Sequence, residues 1–143
     1  MDAQQELQKV MYQADIYRKH IEEINEQVNM IDMTIKTMEA TIEALNLLNK
    51  TEIDTEILVP LGSNCFARAK LSDNKDVILG IGAGISVEKT IPESVKSLDE
   101  SIENLNGATA EMQKKSAEIE NLIAQLDKAG EQIIRAAQEQ GQV

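Results

Sequence analysis

The sequence predicts an α+β protein: a long antiparallel two-helix coiled coil with two central β-hairpins that join an oligomeric body. Three observations carry this. Apolar residues recur at alternating steps of three and four through residues 1–50. They do so again through residues 91–143. Between them, residues 51–90 change to a period of two, broken by turn residues. The expected layout is one domain over 1–143, with a helix in 1–50, two hairpins in 51–90 and a helix in 91–143.

The first helix rests on the series Leu7, Val10, Ala14, Tyr17, Ile21, Ile24, Val28, Ile31, Ile35, Met38, Ile42 and Leu45. No step breaks the alternation, so Leu7 and Val10 stand at heptad positions a and d. No Gly or Pro interrupts residues 1–50. At about 1.5 Å per residue, some 48 residues of helix are about 70 Å long. Such a helix must project or pair along its length.

The second helix repeats the pattern with Ile91, Val95, Leu98, Ile102, Leu105, Thr109, Met112, Ser116, Ile119, Ile123, Leu126, Gly130, Ile133 and Ala137. Its start is marked by Thr90-Ile91-Pro92-Glu93. Thr at the cap, Glu three residues on, and Pro in the first turn fit a capping box. The helix is expected from about 91 to about 139. Matching heptads of nearly equal length suit a fold-back in which Ile21 faces Ile119 and Ile123, Val28 faces Met112 and Ser116, and Leu7 faces Ile133 and Ile134. A parallel dimer of each helix competes with this. The middle segment weighs against it, because a compact β unit returns the chain locally.

In that segment Ile57-Leu58-Val59-Pro60-Leu61 reads as a strand, and Gly62-Ser63-Asn64 as a turn. From Cys65 to Leu71 the sides alternate, with Ala67, Ala69 and Leu71 on one face and Arg68 and Lys70 on the other. After the loop at Ser72-Asp73-Asn74-Lys75 come strands from Val77 to Ile81 and from Ile85 to Lys89, joined at Gly82-Ala83-Gly84. Pro60 lacks an N–H, so the first strand belongs at an edge. Two isolated hairpins are marginal in water and leave strand edges unpaired. Hairpins from several chains closing a shared β-structure resolve both problems.

Composition narrows the function. With 25 acidic and 14 basic residues, the net charge is -11. Nucleic acid is not an expected partner, since phosphate binding needs clustered Lys and Arg. One cysteine and one histidine exclude a disulfide framework, a cysteine zinc site and a Ser-His relay. No metal, cofactor or catalytic residue is expected. No apolar run reaches membrane-spanning length, and the N-terminus lacks the pattern of a secretory signal. A cytoplasmic protein without enzymatic activity fits these facts.

The seam thins toward the chain ends. Ala14, Gly130 and Ala137 occupy core positions there, and a loosely packed, fraying tip is expected. Leu7, Val10, Met11, Ile133 and Ile134 also lie there, and a two-helix seam buries no more than part of such adjacent pairs. Leftover apolar surface beside small residues gives an adaptable groove. Leu7, Val10, Met11, Ala14, Gly130, Ile133, Ile134 and Ala137 are therefore the candidate surface for apolar peptide. On this reading, Gly130→Leu tightens the tip. The alternative is ordinary core with a few stray exposed side chains.

The stretch Leu58-Val59-Pro60-Leu61-Gly62, then Phe66, Ala69 and Leu71, then Ile81-Gly82-Ala83-Gly84 with Val87-Glu88-Lys89, resembles the alpha class of prefoldin. The order of helix, two hairpins and helix matches that class across essentially the whole chain. The resemblance implies a hexamer of two alpha and four beta subunits, with a double β-barrel body and six coiled-coil arms. It implies an ATP-independent chaperone that holds unfolded polypeptides at its tips and delivers them to a group II chaperonin. By it, the tip residues above contact clients. The hairpin residues Leu58, Val59, Leu61, Phe66, Ala69, Leu71, Val77, Leu79, Ile81, Ile85 and Val87 build the assembly.

Other features read plainly. Gly80-Ile81-Gly82-Ala83-Gly84 is a hairpin turn, since a phosphate-binding loop needs a helix directly after it. His20 reads as a solvated surface histidine and Cys65 as an inert, partly buried thiol. Glu22-Glu23 and Asp99-Glu100 are solvated carboxylates. The polar residues Gln4-Gln5 and Gln138 to Val143 read as frayed ends. A coiled-coil adaptor or filament-forming subunit with one defined partner is the rival to the chaperone reading.

Overall fold

The computed structural model describes residues 2–141; Met1, Gln142 and Val143 lie outside the described residues. The element order is α1 (Ala3–Lys50), β1 (Glu56–Gly62), β2 (Cys65–Lys70), β3 (Asp76–Gly82), β4 (Ile85–Thr90) and α2 (Ile91–Glu139). Each helix and strand falls where the change of period placed it.

The helix starts are capped by side chains. Asp2 Oδ1 accepts a hydrogen bond from the Gln5 N–H at 2.9 Å. At α2, Thr90 Oγ1 accepts from the Glu93 N–H at 3.2 Å, and Glu93 Oε2 accepts from the Thr90 N–H at 3.4 Å. This is the reciprocal capping box expected from Thr90 and Glu93, and it satisfies two otherwise unpaired donors. One turn in, the Ser94 hydroxyl donates to Thr90 O at 2.9 Å. Ser94 is fully buried, and this bond satisfies it.

The chain divides into two compact units, Met1–Met33 with Leu105–Val143, and Thr34–Asn104. In the first, the antiparallel pairing is fixed by contacts between the two helices. Leu7 and Val10 lie against Gly130. Arg18 Nη2 donates to Asp127 Oδ1 at 3.1 Å, and Arg18 Nη1 donates to Asp15 Oδ1 at the same distance. Ala14, Ile24, Ile119 and Ala137 are buried. The expected loose tip is corrected here, because Ala14, Gly130 and Ala137 are among the best-covered residues of this unit. Facing side chains close over these small residues, as Leu7 and Val10 do over Gly130.

In the second unit Ile35, Leu45, Leu71, Ile91 and Ser94 form the buried centre. β1 pairs with β2 and β3 with β4, both antiparallel, as two separate two-stranded sheets. All four strands are edges, so Pro60 takes an edge place as its missing N–H requires. Asn74 Nδ2 ties the loop between the hairpins to Thr51 O at 2.9 Å. Asp73 Oδ1 accepts from the backbone N–H groups of Lys75 and Asp76, at 2.8 and 3.0 Å. These bonds, the Lys75 one foremost, hold the Asp73 carboxyl below its ordinary value.

The second hairpin reproduces the first. Glu56↔Lys70 in one corresponds to Asp76↔Thr90 in the other, Leu58↔Arg68 to Ile78↔Glu88, and Gly62↔Cys65 to Gly82↔Ile85. Both carry a bulge just before the turn, between Pro60 and Gly62 and between Gly80 and Gly82. The glycines that close these bulges have φ 109° and 103°, where a side chain would strain the backbone. Ser63 and Asn64, and likewise Ala83 and Gly84, all have positive φ, as a tight I′ hairpin turn demands. The correspondence continues past the strands. The Leu71 N–H donates to Thr55 O at 3.0 Å, and the Ile91 N–H donates to Lys75 O at 2.9 Å.

Candidate functional surfaces

The heptad positions of both helices are buried or half-buried throughout, so what remains outside the seam defines the available surface. In the unit that holds the chain ends, the eight candidate residues separate. Leu7, Val10 and Ile133 are half-buried seam members. Ala14, Gly130 and Ala137 are covered and form the floor of the helix contact, with no free surface to offer. Met11 (57% exposed) and Ile134 (40%) do present apolar surface.

Two residues that periodicity passed over are as open as these. Tyr12 is 69% exposed and Ile16 47%. They lie one turn apart on the outer side of α1, off the a and d stripe. With Val10 and Ile133 they line a groove of about 620 Å³, edged by Glu6, Lys9 and Gln13. The signal was present as an aromatic and a branched residue at i and i+4 among otherwise polar positions.

The hairpin candidates also separate. Leu58, Val59, Leu61, Phe66, Ile81 and Ile85 are exposed. Ala69, Val77, Leu79 and Val87 are half-buried. Leu71 is buried within the chain itself and is not part of the open surface. The most exposed large apolar side chain of the hairpins is one the sequence reading omitted, Ile78, at 79%. It lies directly opposite Glu88, at the place that Leu58 takes opposite Arg68.

Cys65 is exposed, where a partly buried thiol was expected, because it begins β2 beside the projecting turn of the hairpin. His20 is half-buried beside Ile21, not fully solvated. Gly80–Gly84 is a hairpin turn, as expected. Asp73, Asp76 and Glu88 bring three carboxylates together, with ligand oxygens within 4.8 Å of one another. Among the described residues, no helix is long and apolar enough to cross a membrane.

These elements define a class: paired helices of nearly equal length whose connection is a pair of two-stranded sheets with uncovered apolar faces. The family model for the prefoldin subunit matches residues 17–137. The chain belongs to the prefoldin family. It is 34% identical over 97 residues to the prefoldin subunit alpha of Methanopyrus kandleri, covering 68% of this chain and 62% of that one. It is 35% identical over 82 residues to the prefoldin subunit alpha of Methanothrix thermoacetophila, covering 57% and 54%. The match thus spans less than two thirds of these relatives' own length. Among solved structures, a chain of filamentous PFD from Methanocaldococcus jannaschii superposes with a TM-score of 0.76 at 24% identity, covering 82% of this chain and 98% of that one. That likeness concerns the fold.

Proposed function

We propose that this chain is the alpha-type subunit of an ATP-independent chaperone. It holds unfolded polypeptides on the apolar surface near its chain ends and passes them to a group II chaperonin. The hairpins build the assembly, with prefoldin beta subunits in a hexamer of two alpha and four beta chains. The setting is cytoplasmic. The role is binding, without an enzymatic step, a cofactor, nucleic acid or a membrane.

The observation that carries the reading is the coexistence of a well-packed seam with uncovered Met11, Tyr12, Ile16 and Ile134 beside it. A two-helix seam that buries Ala14 and Ala137 leaves these side chains outside it, open to a further partner. Apolar surface with few directed polar groups suits non-native segments of varied sequence. Each contact is weak, and several arms on one body raise the effective concentration.

The test is light scattering after a chemically denatured protein is diluted into buffer without ATP. The chain is assembled with an archaeal prefoldin beta subunit and its mass checked beforehand. Suppressed aggregation that disappears when residues 1–14 and 127–143 are removed supports the reading. Equal scattering with both assemblies and with buffer alone defeats it.

A second reading is a filament-forming or adaptor subunit with one defined partner. The unpaired edges of both hairpins, open to further strands, support it. It predicts rods that lengthen with concentration and no effect on assorted unfolded proteins.

A further inference from the structure

The groove beside α1 near the chain ends has an apolar bed and a polar edge. Tyr12, Ile16 and Ile133 give the bed, and Glu6, Lys9 and Gln13 the edge. The edge residues follow one another at steps of three and four, so they stand in a row along one side of the helix. All three are exposed. Among the described residues, no ion pair and no side-chain hydrogen bond takes up any of them. Glu6 and Lys9 are spaced for a helix ion pair and do not form one.

These three side chains offer what an extended backbone needs. Every non-proline residue of an unfolded chain carries an N–H donor and a C=O acceptor, and leaving either unpaired against apolar side chains is costly. A groove of apolar residues alone therefore disfavours an extended occupant. The Glu6 carboxylate accepts from N–H groups, the Lys9 ammonium donates to carbonyls, and the Gln13 amide does both. From Glu6 to Gln13 is about 10 Å along the helix axis. An extended chain covers that distance in about three residues. A helical occupant has its backbone groups paired within itself and leaves this edge unused. Charge points the same way. Glu6 and Lys9 cancel, so the edge is neutral in a chain of net charge -11. A charged occupant residue would have to give up water over the bed of Tyr12 and Ile16.

We propose that this groove takes an extended, uncharged segment of about three to five residues and reads its backbone. Glu6, Lys9 and Gln13 pair with the backbone groups, while Tyr12 and Ile16 cover alternate side chains of the segment. The inference rests on the reading of this surface as the client site, and it names the client's conformation and the atoms that are recognised. Backbone groups are the same for every sequence, so the groove accepts varied clients. In a folded protein those groups are already paired. The same edge therefore separates non-native from native chains by hydrogen bonding as well as by exposed apolar area.

The test uses the full chain and labelled peptides, read by fluorescence anisotropy. One peptide is a short uncharged sequence of Val and Thr. The second is the same sequence with its internal amides N-methylated. The third has equal apolar content and is stapled as a helix. The first binds. N-methylation keeps the side chains, removes the N–H donors and weakens binding by about fivefold or more. In the variant E6A/Q13A, which lacks the acceptors for those donors, the same change weakens binding by less than about twofold. Circular dichroism confirms that the variants keep their helices. Equal binding of the first two peptides by the wild type, an undiminished loss in E6A/Q13A, or tighter binding of the stapled helix overturns the proposal. The variant Y12S/I16S separates it from the reading beneath it. If Y12S/I16S loses peptide binding and aggregation suppression while N-methylation has no effect, the client surface stands and only backbone recognition is removed. If Y12S/I16S binds and suppresses as well as the wild type, the client surface itself is removed, and the proposal falls with it.

Discussion

Leu7 packs over the bare Cα of Gly130, with room left for a single methyl group. A Cβ on Gly130 would stand 3.6 Å from Leu7 Cδ1 and 3.7 Å from Val10 Cγ1, ordinary contact distances. Gly130→Ala therefore adds contact and removes the helix penalty of glycine, about 1 kcal/mol. The expected result is a higher melting temperature by circular dichroism. Gly130→Leu has no such space, and overpacking costs roughly 1–3 kcal/mol. A lower melting temperature for the leucine variant would show that the sequence-based expectation of a tightened tip had the sign reversed.

Tyr12 and Ile16 offer apolar surface while contributing little to the seam. The variant Tyr12→Ser with Ile16→Ser is expected to change stability by less than about 1 kcal/mol, as surface substitutions do. It should also weaken suppression of aggregation several-fold. Ala14→Leu is the control: its burial makes it destabilising. Scattering and thermal melts on the same samples check both halves, and unaltered suppression by the serine variant would move the client surface elsewhere.

Asp73 gives the loop between the hairpins a pH dependence. Its carboxylate is held below the ordinary value of 3.8 by the N–H groups of Lys75 and Asp76. A depressed folded value means that the stabilisation is complete above the unfolded value and is lost as pH falls through the folded one. Amide exchange at Lys75 and Asp76, followed by NMR, should accelerate relative to neighbouring amides on acidification below about pH 4. Asp73→Asn should flatten that response.

The Thr90–Glu93 box fixes where α2 begins. Thr90→Ala removes the acceptor for the Glu93 N–H and is expected to cost about 1 kcal/mol. Denaturant unfolding measures this. A change below about 0.3 kcal/mol would mean that water replaces the cap.

Period carried most of the fold. A step of three and four locates both helices to within a residue or two, since the seam needs a continuous stripe and no glycine or proline breaks α1. The turn residues Gly62-Ser63-Asn64 and Gly82-Ala83-Gly84 located the hairpins because few residues tolerate those backbone angles. The surfaces were less legible. A stripe search selects what is buried, so it picked Ala14 and Ala137 and passed over Tyr12 and Ile16. Alternation divides a strand into two faces without saying which one the rest of the chain covers. Alternation alone does not show that Leu71 is covered within the chain and Ile78 open. Arg68 and Glu88 correspond only through the registers of the two hairpins, which no local pattern displays.

The Arg18–Asp127 contact joins residues 109 positions apart. At about 5–20 residues per second, a ribosome needs roughly 5 to 20 s between making the first and the second. Throughout that interval α1 is complete along its N-terminal part while its matching stretch of α2 does not yet exist. The stripe from Leu7 to Ile24 is then open to water and to neighbouring nascent chains. The hairpins, whose partners are close in sequence, close first. Newly made copies thus pass through a stage in which the stripe that later forms the seam must itself be kept from aggregating.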